Sequence, residues 1–222
     1  MLLCIADVLK PEELQTIIAK LTAAPFVDGK TTAGWHARLV KHNIQLDSNA
    51  AIAPELKQLV LAALQRSALF QMAVRPKVIR APLFSRYEVG MSYGSHVDNA
   101  LMGDPPMRSD VSMTLFLSPS DAYDGGELVL ETPQGEEAIK LEAGSMVVYP
   151  SATLHRVEPV TRGIRLVAVT WIQSLVRDPH DREILFDLDT ARQAIFEKYG
   201  KTPEFDLLSK SHANLLRKWV DF

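Results

Sequence analysis

Val111-Ser112-Met113-Thr114-Leu115-Phe116-Leu117 alternates with the period of two that a β-strand shows, and the chain repeats that pattern for sixty residues. Asp124-Gly125-Gly126 turns into Glu127-Leu128-Val129-Leu130, and Pro133-Gln134-Gly135 turns again toward Ala138 to Leu141. Gly144 leads into Ser145 to Tyr149, and Arg162-Gly163 leads into Ile164 to Gln173. Short strands separated by glycine and proline turns, with no helical period between them, predict a sandwich or barrel and not βαβ units. Working back toward the N-terminus, Val78 to Arg86 reads as one more strand and residues 34–46 alternate as another.

Helical periodicity lies outside this block. Leu2 to Ala6 reads as a short strand. Pro11-Glu12-Glu13 then opens a helix, with Leu14, Ile17, Ile18 and Leu21 on one face and Pro25 and Gly29 beyond its end. Pro54 starts a second, with a stripe of Leu56, Leu59, Val60, Ala63 and Leu64. After Arg177 helices return at roughly 179–199 and 204–220, separated by Gly200 and Pro203. The predicted fold class is α+β with a mostly β core. Residues 1–76 form an N-terminal flank of helix and strand, 77–175 the strand-rich core, and 176–222 a C-terminal helical extension. Ile184, Leu185, Leu188, Ala191 and Ile195 give the first tail helix an apolar face, expected to cover the barrel or a second subunit, which makes a homodimer a candidate assembly.

The chain has 222 residues, enough for one good core. An apolar fraction of 47% and a charged fraction of 23% are those of an ordinary globular protein. A net charge of -3 without a basic stripe argues against a nucleic-acid partner, which would need cations to neutralise phosphates. Cys4 is the only cysteine, so no disulfide within the chain is possible, and it reads as a small buried hydrophobe. Asp7 and Lys10 break the first apolar run too early for a signal peptide or a membrane span. A cytoplasmic location, with no membrane partner, is the expectation.

Four residues of the strand-rich core carry chemistry. On a strand, residues two apart point to one side, so His96 and Asp98 can reach one ion from a single segment. His155, after Tyr149-Pro150-Ser151, stands where one strand ends and another starts. Two imidazoles and one carboxylate form a face that holds Fe(II) and leaves coordination positions open. Arg165 lies in Ile164-Arg165-Leu166-Val167-Ala168-Val169-Thr170-Trp171, a run that reads as buried on both faces. A guanidinium there is costly unless it meets an anion, and its planar fork suits a carboxylate such as the far end of a keto acid. The competing structural readings are a solvated turn after Gly94-Ser95, a surface histidine at 155, and an ion pair between Arg165 and one of the chain's own acids. His36, His42, His180 and His212 read as surface or packing residues.

Three blocks in order carry a resemblance. They are Arg86-Tyr87-Glu88-Val89-Gly90-Met91-Ser92-Tyr93-Gly94-Ser95-His96-Val97-Asp98, then Tyr123-Asp124-Gly125-Gly126-Glu127-Leu128, then Gly144-Ser145-Met146-Val147-Val148-Tyr149-Pro150-Ser151-Ala152-Thr153-Leu154-His155-Arg156-Val157. With them the chain resembles the Fe(II)/2-oxoglutarate-dependent dioxygenases of the prolyl-4-hydroxylase type, and more narrowly the bacterial PKHD-type hydroxylases associated with iron uptake. The resemblance covers nearly the whole chain, including the helical tail.

It implies a double-stranded β-helix, a jelly roll flanked by helices. His96, Asp98 and His155 would bind iron, and Arg165 would pair with the C5 carboxylate of 2-oxoglutarate. The Tyr87 hydroxyl would reach the same carboxylate, unless the ring simply packs in the core. The implied cosubstrates are 2-oxoglutarate and O2, with L-ascorbate as a sustaining reductant, and the implied reaction is hydroxylation of an unidentified substrate. A cupin-like metalloenzyme without a keto acid and a non-catalytic iron or 2-oxoglutarate sensor are the alternatives on the same fold. H-x-D in place of H-x-H, and an inward arginine, favour the dioxygenase. Residues 99–110, containing Gly103-Asp104-Pro105-Pro106-Met107-Arg108, are either a lid that selects substrate or a plain connection.

Overall fold

A computed structural model describes residues 1–221. The N-terminal flank comprises β1 (Leu3–Ile5), α1 (Pro11–Thr22) and β2 (Phe26–Asp28), then 3-10 turns at Gly29–Thr32 and Ala37–Leu39. It continues with β3 (Lys41–His42), β4 (Ile44–Leu46), α2 (Ala53–Arg66) and α3 (Ala68–Val74). Next come β5 (Pro76–Ile79), β6 (Leu83–Tyr87), β7 (Ser92–His96), β8 (Leu101–Met102), β9 (Met107–Arg108) and β10 (Val111–Phe116). They are followed by β11 (Tyr123–Gly125), β12 (Leu128–Thr132), β13 (Gly135–Ile139), β14 (Met146–Pro150), β15 (His155–Val157), β16 (Val160–Gly163) and β17 (Arg165–Ser174). Two tail helices, α4 (Pro179–Tyr199) and α5 (Pro203–Trp219), close the chain. Among the described residues no helix is long and apolar enough to cross a membrane.

Two antiparallel sheets make the core. The large one runs β1-β14-β10-β17-β6-β4-β2, with β5 also pairing to β17, and the smaller runs β13-β12-β15-β7-β3. Followed along the chain, β6, β10, β14 and β17 fall in the large sheet while β7, β12 and β15 fall in the small one. Each crossing between sheets is a turn of the double-stranded β-helix, so the jelly roll and its flanking helices are as expected. β10 is buried along its whole length, because one side faces the roll's interior and the other meets the helices. Met113, Leu115, Met146 and Val148 belong to the same cluster as Ile17 and Leu21 of α1 and Leu56, Val60 and Leu64 of α2. The second cluster, with Val147, Tyr149, Val157 and Val167, fills the roll itself. Alternate residues of β14 therefore serve two different cores.

Local rules set the helix ends. Pro11 occupies the first turn of α1, where its missing N–H removes no bond, and the Glu13 carboxylate accepts from the Lys10 amide at 2.9 Å. Asp178 caps α4 by accepting from the amides of His180 and Asp181.

Two strands expected from the sequence take another form. Residues 34–46 are not continuous: the 3-10 turn leaves Trp35 81% exposed, β3 pairs with β7 in the small sheet, and β4 pairs with β6 in the large one. The chain switches sheets at Asn43, so no single strand can span the segment. Val78 to Arg86 is broken at Arg80-Ala81-Pro82 into β5 and β6, both paired with β17. Pro82 lacks the N–H a ladder needs and constrains Ala81 before it. Residues 99–110 contain the small hairpin of β8 and β9. Strand β2 and helix α3 carry too few periodic residues to be visible beforehand.

The tail helices dock through charge as well as apolar contact. The Arg75 guanidinium reaches the buried His212 ring at 2.9 Å and Asp189 at 3.7 Å, and Asp189 also holds Arg192. His212 thus packs within the fold, whereas His36, His42 and His180 are exposed. Asp110 ties the arm at 99–110 to the core: it accepts from Arg108 Nε at 2.6 Å and from the Ser174 amide at 2.8 Å. Its loss leaves the Ser174 N–H without an acceptor and Arg108 with only its longer bonds to Asp221 and the Ser174 carbonyl. We expect Asp110→Ala to lower stability by about 1–3 kcal/mol, read as a reduced denaturant midpoint. An unchanged midpoint would show that water replaces the carboxylate freely.

Candidate active site

His96 is the last residue of β7, and His155 is the first of β15. The two strands pair antiparallel with His155 directly opposite His96, which sets the imidazole centroids 4.3 Å apart. Asp98 lies two residues past the end of β7, so the acid comes from the exit of the strand and not from its ladder. Its Oδ2 is 3.9 Å from His155 Nε2, and one donor atom from each of the three residues lies within 4.8 Å of the others.

The donor atoms are oriented before any ion arrives. His96 Nδ1 lies 2.8 Å from the Gly94 carbonyl and His155 Nδ1 lies 2.9 Å from that of Thr153. Each Nδ1–H therefore donates to main chain, which leaves the Nε2 lone pair as the ligand. Ser112 donates to Asp98 Oδ2 at 2.6 Å, and Ser151 lies 2.8 Å behind it to complete a hydroxyl chain. Tyr93 stacks on His96 with 3.6 Å between centroids, and Tyr149 presents its ring to His155 at 5.2 Å. Burial, seconded by the neighbouring His155, pulls the His96 pKa down to about 4, so its ring is neutral at physiological pH. Two imidazoles, a carboxylate and buried second partners suit a divalent first-row ion with open positions.

Arg165 begins β17 opposite Tyr87 of β6 and is 1% exposed. Its guanidinium carbon sits 5.0 Å from the Tyr87 ring and 5.6 Å from that of Phe116. Other arginines have acids: Arg156 meets Glu136 and Glu158, and Arg162 meets Asp124. Among the described residues Arg165 has no such ion pair, and its Nε has no hydrogen-bond partner at all. The ion-pair alternative is therefore absent, and a buried cation is left facing a cavity. Gly126 makes room for it: at φ +67 it takes a left-handed conformation, and a Cβ there would come within 3.0 Å of Arg165 Cδ.

The cavity has a volume of about 480 Å³, and His96, Asp98, His155, Tyr87 and Arg165 all line it. The structure thus brings all five expected residues to one place. Lys41, Tyr93 and Ser112 also line it. Of these, Tyr93 stood in a quoted block three residues before His96, and Ser112 on an alternating strand, but nothing in the spacing gave either a role. Lys41 lies in the segment 34–46 that the fold divides between two sheets. Burial pulls its ammonium down to about 8, against the opposing pull of Asp98.

Comparison with known proteins agrees with this geometry. Residues 82–173 match the 2OG-Fe(II) oxygenase superfamily, and residues 180–221 match the PKHD-type hydroxylase C-terminal domain. A PKHD-type hydroxylase of Rippkaea orientalis is 61% identical over 220 residues, covering 99% of both chains. Another, of Gloeothece citriformis, is 62% identical over 221 residues and covers 100% of each. Among solved structures, a Pseudomonas putida prolyl-4-hydroxylase superposes with a TM-score of 0.53 at 22% identity, over 78% of this chain and 92% of that one. A Trichoplax adhaerens prolyl hydroxylase, in complex with a hypoxia inducible factor peptide fragment, gives 0.56 at 15% identity, over 82% and 86%. The class so defined is that of the iron- and 2-oxoglutarate-dependent oxygenases. Within it, this chain belongs to the PKHD-type hydroxylase family.

Gly126→Ala tests the cradle. A non-glycine residue at this φ costs about 1–3 kcal/mol, and its methyl group presses on Arg165. We expect 2-oxoglutarate binding to weaken by on the order of tenfold while iron binding is kept. Equal losses in both would mean that the residue supports the whole roll.

Proposed function

We propose that His96, Asp98 and His155 are the ligands of the ferrous ion, and that Arg165 and Tyr87 hold the C5 carboxylate of 2-oxoglutarate. The observation that carries this is a pre-oriented two-imidazole, one-carboxylate face sharing a cavity with a buried guanidinium that no acid among the described residues neutralises. When bound, the iron and keto acid supply the oxidative chemistry: O2 is consumed, 2-oxoglutarate becomes succinate and CO2, and a substrate C–H gains a hydroxyl. The chain's own residues bind and orient. The main-chain carbonyls of Gly94 and Thr153 fix the imidazole tautomers, and Ser112 fixes the Asp98 carboxylate. The fork of Arg165 offers two parallel N–H donors to the distal carboxylate, from a wall that excludes water.

In this reading residues 77–175 are the catalytic core, 1–76 its flank, and 176–222 an extension that braces it. L-ascorbate is the sustaining reductant. The arm at 99–110, with Leu101, Met102 and Gly103 in the cavity wall, takes part in selecting substrate. An uptake component or an iron-chelating small molecule is the first set of substrates to screen.

An anaerobic titration with Fe(II) and 2-oxoglutarate tests the core of the proposal through the weak visible charge-transfer band of the chelate. The wild-type protein should show the band, and His155→Ala should lose it together with succinate formation. Retained activity in that variant would mean that the third ligand is another residue. Arg165→Ala should raise the 2-oxoglutarate requirement by roughly tenfold to a hundredfold, with iron affinity little changed. Parallel losses would make the arginine structural.

A further inference from the structure

The cavity holds one positive side chain more deeply than the proposed cosubstrate site requires. Lys41 is 6% exposed and lines the cavity on the side of Tyr93, whose ring lies 5.1 Å from Nζ and stacks on His96. No carboxylate of the described residues forms an ion pair with it. Its hydrogen bond within the protein goes to Thr32 Oγ1 at 3.0 Å, which leaves two of its three N–H donors free. Thr32 is held in turn by Gln45 Oε1 at 2.6 Å, and Gln45 Nε2 donates to Ser85 at 3.1 Å. The ammonium is therefore positioned, not loose. Two residues on, Asn43 is 3% exposed and also lines the cavity, and its amide makes no well-formed hydrogen bond, with the Tyr87 hydroxyl as its neighbour.

Charge points the same way. Lys41, Arg80 and Arg165 line the cavity against one carboxylate, Asp98. A ferrous ion with Asp98, a dianionic keto acid and Arg165 together carry no net charge. Lys41 and Arg80 are left over, and Arg80 has no ion pair among the described residues either. A buried, unpaired ammonium is costly unless its partner arrives from outside.

We propose that Lys41, with the Asn43 amide two residues on, is the recognition subsite for a carboxylate on the primary substrate. The inference rests on the assignment of Arg165 to 2-oxoglutarate. Its chemistry selects an acid over its neutral amide: the ammonium donates to a carboxylate oxygen in a charge-assisted bond, and the Asn43 NH2 donates to the same group. Val97, Leu101 and Met102 in the wall suit an apolar body behind that acid.

The test uses protein loaded with redox-inert Zn(II) and saturating 2-oxoglutarate, so that Arg165 is already occupied. The probes are 4-fluorobenzoate and 4-fluorobenzamide, followed by fluorine NMR, with a capped Ala-Glu-Ala peptide run alongside to separate a free acid from an acidic side chain. The acid should bind at least about tenfold more tightly than the amide. Lys41→Met should remove that preference while leaving 2-oxoglutarate binding, read by calorimetry on the same samples, unchanged. Lys41→Arg should restore most of it. No preference for the acid, or a preference that survives Lys41→Met, overturns the subsite. If instead 2-oxoglutarate itself fails to bind, the assignment of Arg165 falls, and the acid–amide comparison on Arg165→Met protein still decides for or against Lys41.

Discussion

One antiparallel rung, His155 of β15 against His96 of β7, organises the chemistry of this enzyme. A rung fixes the separation of its side chains to within the pleat, so neither ring needs a loop to hold it. The carbonyls that orient the two rings come from Gly94 and Thr153, each two residues before its histidine. The imidazoles and the groups that set their tautomers thus belong to the same two short segments. Asp98 stands outside the ladder and depends on Ser112, a residue of the opposite sheet, for its orientation. The Ser112–Asp98 hydrogen bond consequently ties the two sheets together at the candidate site.

Arg165 is a costly residue for a core to hold. It is among the largest fully buried side chains, packed between two aromatic rings with an unpartnered Nε. Replacing a buried charged group by an aliphatic one of similar volume is often neutral or stabilising. The roll tolerates the cation because strands on either side are held by long ladders, β10 and β6 both pairing with β17. A rigid sheet can carry one unfavourable group if the rest of its interface is well packed.

The helices contribute through position. α1 and α2 cover the outer face of the large sheet, which allows β10 and β14 to be buried on both sides. The tail helices attach through Arg75, Asp189 and His212, whose ring burial keeps below its ordinary pKa despite the pull of Asp189. Such a cluster gives the extension a defined seat where apolar contact alone would allow sliding.

Alternation and turn residues from 111 to 173 determined the β core, and proline and capping residues determined α1, α2, α4 and α5, because those signals act within a few residues. The candidate triad of His96, Asp98 and His155 and the buried Arg165 were also legible, since a guanidinium and an H-x-D pair stand out against aliphatic strands. Tertiary structure alone decided the rest. It split 34–46 between two sheets and placed Lys41 in the cavity wall with no ion pair among the described residues. Whether a charge is neutralised depends on residues tens of positions away, and strand register is set by packing across the roll. No local pattern encodes either one.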